Sequence, residues 1–354
     1  MINLKPLLRR RSHKALKILC LTLCLLAVPL LLRSQNDHYF TLSNSVARPL
    51  AMGGAYTAVD DDLAALGYNP AAYFVNSDKD MQRVTFFFNP VSPLIGGIKN
   101  SDIFQGEGSK FDDILLSLGL LMKSVSISIE SLQIGLLLGE QAINLPAEIA
   151  TNNLFSVDGF RQNHYHSLIT RWRLADKVSL GGMASLIVMS DPSDPLKRQS
   201  KLGISYGILL RPRENLNVGV SFFNFPDTLK QFRLPLERMV DESVNIGISY
   251  LLPTGSRFSV DLRDLGEESD DVFREFHFGF EQTLVSQLAL RVGFFRKRRE
   301  GNVFSFGVGL FNGARLFNNS LNKYDNFMLN YAFVYEEDAV VDKKWHFLTI
   351  SFRK

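Results

Sequence analysis

The chain has 354 residues, of which 46% are hydrophobic and 28 are Phe, and its formal net charge is +3. That length fills one large domain or two ordinary ones, and no apolar run after residue 35 is long enough for a membrane-spanning helix. The basic balance comes from the first 34 residues, so it is no argument for a nucleic-acid partner.

In those residues Lys5, Arg9, Arg10, Arg11, Lys14 and Lys17 precede the apolar run ILCLTLCLLAVPLLL, from Ile18 to Leu32. A basic start, an apolar core and a small residue at Ser34 describe a secretory signal peptide over 1–34. A retained N-terminal anchor is the alternative, but the core is short for a spanning helix and Pro29 interrupts it. Neither Cys20 nor Cys24 follows the small residue that lipid attachment wants. Residues 1–34 carry seven of the 39 Lys and Arg and no Asp or Glu, which leaves 32 basic against 36 acidic residues, net −4. Both cysteines also lie there, and a mature chain without Cys suits an oxidising periplasm.

Residues 35–80 form a second region. Its centre, AMGGAYTAVDDDLAALGYNPAAYF (51–74), neither alternates like a strand nor runs on like a long helix. Gly53 and Gly54 open backbone conformations closed to other residues and allow close approach to a wall. Asp60 to Leu66 can form a short helix, with aspartates at its positive end. Asn69 reads as an N-cap with Pro70 at the first helical position and Ala71 after it. Asp60, Asp61 and Asp62 lack the interleaved spacing and terminal Glu of a calcium loop, so no metal and no cofactor is expected.

From residue 81 the dominant period is two. In FHFGFEQ, Phe276, Phe278 and Phe280 share one face, and Glu275, His277 and Glu281 lie on the other. Such alternation gives a strand one greasy face and one small or polar face. Candidate strands lie near 82–90, 112–122, 124–139, 163–174, 177–189, 199–211, 215–225, 243–252, 256–264, 272–282, 286–296, 302–311, 325–336 and 344–353. That is about fourteen, with lengths near the roughly 9–11 residues a tilted strand needs to cross a bilayer. LADK (174–177), RPREN (211–215), LPTGS (252–256) and TLVS (283–286) read as short hairpin turns, while 91–111, 140–162 and 312–324 read as long connections. A soluble β-sandwich would also alternate. Its solvated faces, however, would carry more Lys and Glu than the Gly- and Ser-rich faces here. The apolar faces also place Tyr206, Tyr250, Phe258, Phe294, Tyr331, Tyr335 and Phe352 as an aromatic girdle. The fold expected is all-β: a transmembrane antiparallel β-barrel over 81–354.

The phrase ARPLAMGGAYTAVDDDLAALGYNPAAYF resembles the N-terminal region of the FadL-like outer-membrane barrels. The matching residues are Ala47, Arg48, Ala51, Met52, Gly53, Gly54, Ala55, Ala58, Asp61, Asp62, Ala64, Asn69, Pro70 and Ala71. The resemblance implies that 35–80 is a partly helical hatch folded into the lumen of a fourteen-stranded barrel. It implies passive passage of hydrophobic or amphipathic small molecules such as fatty acids through a bacterial outer membrane, with membrane lipids around the barrel. The PorV/PorQ-type branch of the superfamily looks about as near. On that reading the chain is an accessory component with secretion-system proteins as partners.

Candidate strand 124–139 changes phase near Ser131. Val125, Ile127 and Ile129 are apolar at odd positions, and Leu132, Ile134, Leu136 and Leu138 at even ones. One uninterrupted strand cannot satisfy both halves. A bulge or kink there would restore the pattern, as would two strands in place of one. In FadL-like transporters a kink in the third strand opens a lateral exit, which makes Ser131 a candidate gate. With the greasy faces outward, the lumen receives Arg171, Arg257, Asp261, Arg263, Glu275, His277, Glu281 and Arg291. These are expected to pair across a polar interior, and selectivity for an anionic head group is open. His277 between two glutamates, like His164 and His166 near a strand start, is better read as an ordinary lining or rim residue than as an acid–base centre. No GxSxG, HExxH, phosphate loop or CxxC pattern occurs, so no enzyme is expected.

Overall fold

The computed structural model describes residues 38–42, 47–61, 63–75, 82–88, 115, 118–119, 122–141, 163–191, 194–224, 243–265, 275–285, 288–297, 301–310, 326–337 and 342–353. Residues 1–34, expected as a signal peptide, and Asp62 of the hatch motif lie outside them. The folded unit runs from Tyr39 to Lys354.

A short strand β1 (His38–Leu42) and a one-turn helix α1 (Ala47–Ala51) come first. The wall follows: β2 (Arg83–Phe88), β3 (Ser124–Ile129), β4 (Leu132–Gln141), β5 (Asn163–Ala175), β6 (Val178–Asp191), β7 (Asp194–Arg213) and β8 (Leu216–Asn224). It continues through β9 (Ser243–Leu251), β10 (Ser256–Arg263), β11 (Glu275–Val285), β12 (Leu288–Lys297), β13 (Gly301–Leu310), β14 (Asn326–Glu336) and β15 (Lys343–Arg353). Each strand pairs antiparallel with its neighbours in sequence, and β15 returns to pair with β2. The result is a closed fourteen-stranded barrel. Closure leaves no sheet edge to lipid, where an unpaired backbone group would be costly. Among the described residues β15 meets β2 through Phe352 with Phe88 and Arg353 with Phe87, and β1 pairs with β15 beside that seam.

The barrel is apolar on the outside. Along β7, Leu202, Ile204, Tyr206, Ile208 and Leu210 are exposed, while Ser205 and Leu209 between them are buried. Ile246 and Ile248 of β9, Val292 of β12 and Phe304 and Phe306 of β13 repeat the pattern. In water such an exterior would aggregate; in a bilayer it is the face that lipid requires. Tyr206, Tyr250 and Phe258 of the expected girdle point outward, and Tyr206 stacks on Phe222 with ring centroids 4.8 Å apart.

Alternation of direction brings the strand ends that flank β3–β4, β5–β6, β7–β8, β9–β10 and β11–β12 to one rim. The facing ends of β2 and β3, β4 and β5, β8 and β9, and β10 and β11 lie on the opposite rim. The ends of β13 and β14 fall on the first rim, whereas 312–324, which lies outside the described residues, was expected to join the other long connections.

Two sequence expectations are corrected here. The phase change at Ser131 is a chain reversal and not a kink. Glu130, with φ of 49°, and Ser131 turn β3 back on β4, with Ile129 opposite Leu132. Across a two-residue turn, directly opposed residues carry one odd and one even number. The outward phase therefore flips with no bulge at all. Candidate strand 112–122 is also not borne out. Its described residues 115, 118 and 119 are helical, and the Met122 amide bonds the Leu118 carbonyl at 2.7 Å. The short apolar run ILLSLGLL fits either state by periodicity alone. The two errors cancel in the strand count.

Candidate functional site: the hatch and the lumen wall

Residues 47–75 fill the barrel interior, and nearly all of them are buried. The Gly53 and Gly54 backbones have φ of 60° and 70°, a left-handed region that other residues adopt at a cost. They turn the chain after α1 against β12. A methyl group at Gly293 of β12 would overlap the Gly53 amide, and one at Gly279 of β11 would sit 2.5 Å from the Met52 carbonyl oxygen. Gly181 and Gly219 meet the Ala71 and Thr57 backbones in the same way, and Gly207 makes room for the Asn69 side chain. The wall thus lacks side chains where the hatch backbone rests on it. Leu63–Ala65 and Pro70–Ala72 each form one tight helical turn. Asn69 caps the second, its side-chain oxygen accepting from the Ala71 amide at 2.9 Å, and Pro70 opens it. The Asn69 amide donates to the carbonyl oxygens of Thr57 and Ile208, joining the cap to β7.

The polar residues expected in the lumen are on its inner face, and the hatch motif meets them. The Arg48 guanidinium holds both Glu281 oxygens, at 3.0 and 2.7 Å, and Asp61 at 2.9 Å. Arg291 reaches Glu281 at 2.6 Å from the other side and Asn330 at 2.9 Å, and Arg257 stands 4.0 Å from Glu281. Asp261 accepts from the Tyr56 and Thr57 amides at 2.8 Å each. Arg263 donates to the Gly54 carbonyl, and His277 Nδ1 donates to the Gly53 carbonyl at 2.6 Å with Glu275 3.2 Å from Nε2. Arg171 donates to the Ala71 carbonyl at 3.0 Å and to Ser179 at 2.9 Å. Asp60 pairs with Arg211 at 2.6 Å. Burial pushes the Tyr56 hydroxyl well above the usual phenol range; Arg48 opposes that rise, and Asp61 and Glu281 reinforce it. Tyr56 therefore stays protonated and donates to Asp61. Lumen charges pair with one another, as Arg291 does with Glu281, and several of them also hold the hatch. Met52 packs with Tyr56, Val59, Ala64 and Tyr68 inside it.

In architecture the chain is a closed antiparallel barrel of fourteen strands with an N-terminal segment packed inside it. Among solved structures it is similar to the Pseudomonas putida toluene transporter TodX, at 11% identity and a TM-score of 0.47, over 89% of this chain and 98% of that one. It is similar to a Pseudomonas aeruginosa FadL homologue at 9% identity and a TM-score of 0.40, over 89% and 97% of the two chains. A Rhodopseudomonas blastica porin variant aligns at 7% identity and a TM-score of 0.34, over 65% and 75%. No family model and no curated protein matches the sequence.

This barrel also has an apolar inner wall that sequence reading missed. Phe87 of β2, Leu137 of β4, Ile169 of β5, Met183 and Ile187 of β6 and Phe223 of β8 face inward. They pack with hatch residues Leu63, Leu66, Tyr73 and Val75. The available signal was that β6, SLGGMASLIVMS, is apolar on both faces. Beside this wall β4 is irregular. Its pairing with β5 shifts between Leu137 and Glu140, and Gly139 has φ of 52°. The Gly139 amide donates to His166 Nδ1 at 3.0 Å, and Lys123 donates to the Gly139 carbonyl. His164 and His166, read as rim residues, are buried beside this bulge. Among the described residues no cluster of three His, Cys, Asp or Glu could hold a metal ion.

Proposed function

We propose that the protein lets hydrophobic or amphipathic small molecules, fatty acids among them, cross the outer membrane by passive diffusion. The apolar inner wall carries this reading. A water-filled porin lines its lumen with polar groups. Here Ile169, Met183, Ile187 and Phe223 offer an alkyl or aryl surface against the hatch. The lumen charges are engaged in holding the hatch and do not line the path. The hatch shifts off this wall, and a permeant entering from the long-loop rim then passes over Leu63, Leu66 and Val75. It leaves sideways at the bulge of β4, the third strand of the barrel, where the ladder between Leu137 and Glu140 is already interrupted. Ser131, at the turn, plays no part in that exit. Diffusion down a gradient needs no cofactor.

The test is uptake of a fluorescent hydrophobic probe by proteoliposomes. The wild-type chain is expected to exceed empty liposomes, and Met183→Asp, which places a carboxylate on the apolar wall, to fall toward them. Wild-type uptake equal to that of empty liposomes sinks the reading. Secretion subunits that co-purify from solubilised outer membranes, in place of bound lipid, would support the accessory role instead.

A further inference from the structure

The bulge of β4 is clasped from two sides. The register with β5 shifts between Leu137 and Glu140, which takes the Gly139 peptide out of the regular ladder. Its amide donates to His166 Nδ1 of β5 at 3.0 Å, and its carbonyl accepts from the Lys123 ammonium. His166 is 4% exposed, Lys123 is 2% exposed, and Gly139 is buried. A peptide group buried to this degree is costly to leave without a partner, so these two side chains fix the bulge where the ladder does not.

The two bonds answer differently to protons. A backbone amide can only donate, so His166 Nδ1 accepts with its lone pair and the ring is neutral. An imidazolium carries a proton on both nitrogens and accepts nothing. Protonation of His166 therefore sets two N–H groups against each other. It also places a second positive charge on a peptide that the Lys123 ammonium already holds. His277 is the contrast. It donates from Nδ1 to the Gly53 carbonyl and has Glu275 beside Nε2, so an added proton leaves its bond to the hatch in place. Among the described residues, the titratable groups on the elements packed around His166 are Lys123, His164 and Tyr165. The His164 ring meets it edge-on at 5.2 Å, and Tyr165 packs on the apolar wall. The side chain of Glu140 lies outside the described residues. From β6, Leu186 and Val188 stand opposite His166 and His164. We infer that His166 is an acid-sensitive clasp on the lateral exit: its protonation frees the Gly139 peptide, loosens the bulge and speeds passage. The inference rests on the transport reading and gives that path a regulator.

Two measurements on the full chain test the clasp and the passage separately. With glycine labelled with nitrogen-15, the Gly139 amide resonance is assigned by its loss in Gly139→Ala. It is followed in amphipol from about pH 8 to about pH 5, across the ordinary imidazole range near 6.5. It is expected to shift in the wild type and to stay in place in His166→Asn, whose side-chain oxygen accepts the same bond without titrating. Uptake by proteoliposomes is read with perylene, a fluorescent hydrocarbon with nothing to titrate. It is expected to rise severalfold over the same acid range in the wild type and to stay level in His166→Asn. A Gly139 resonance that does not move, or a pH response that survives His166→Asn, overturns the inference and leaves the transport reading standing. So does a moving resonance with uptake that is present but level. No uptake at any pH overturns the transport reading, and the role of the clasp in it, even where Gly139 titrates. If His166→Asn does not give the heat-modifiable barrel, the two wild-type titrations decide: a shared midpoint supports the clasp, and separate midpoints overturn it.

Discussion

At the scale of single residues, the hatch is held by buried charge as much as by shape. Arg48 and Glu281 are 233 positions apart in sequence and meet at 2.7 Å. Both were legible separately, one from the hatch motif and one as the polar face of FHFGFEQ. Their partnership was not, because no local pattern encodes which lumen carboxylate a hatch arginine will reach. Glu281 is shared by Arg48 and Arg291, whose guanidinium is fully buried. Removing one partner of a buried pair leaves an uncompensated charge and costs about 3–5 kcal/mol. Glu281→Ala is therefore expected to lower the urea midpoint of the folded barrel, followed by heat-modifiable migration. Glu281→Gln, which keeps the acceptor oxygen, should lose less. An unchanged midpoint in the alanine variant would show that the hatch is held by packing alone. Asp261 works differently: it binds the Tyr56 and Thr57 amides, so its contribution is to fix hatch backbone.

At the scale of elements, β3 and β4 show how one sequence signal admits two structures. A switch of apolar phase is produced by a bulge within a strand or by a two-residue reversal between strands. The sequence carried both. The flip at Ser131 is the reversal, and the bulge lies further on, at Gly139. Gly139 sits at positive φ, where an L side chain costs about 1–2 kcal/mol. Gly139→Ala is expected to disturb the bulge, detach His166 and change the rate of probe uptake. Ser131→Ala, at an exposed-rim turn, should leave that rate within error. If Ser131→Ala alters uptake and Gly139→Ala does not, the exit has been placed on the wrong feature. The helical residues Leu115, Leu118 and Gly119 carry the complementary lesson, since an apolar run too short to show its period fits either state.

At the scale of the whole molecule, the barrel and its hatch form one packed object. The glycines on the inner wall leave room for hatch backbone at the same level on several strands. The hatch in turn covers the lumen from β4 round to β14 through α1 and the two tight turns. Deleting 47–75 is expected to leave a barrel whose lumen conducts ions, read as a step in single-channel current across a planar bilayer. The intact chain should remain closed on the same instrument. Large ion currents through the intact chain would mean that the hatch does not seal the lumen.

The sequence by itself determined the period of two, the outward apolar face, the approximate strand count and the Gly–Asp–Asn-Pro chemistry of the hatch. Each of these is written within about a dozen neighbouring residues, where side-chain direction follows directly from backbone geometry. Only the tertiary structure decided which charges meet, that they anchor the hatch, where the wall is irregular, and that part of the lumen is apolar. Those features depend on the registers of fourteen strands taken together. A one-residue slip in any of them would turn Met183, Ile187 or Ser124 to the other face.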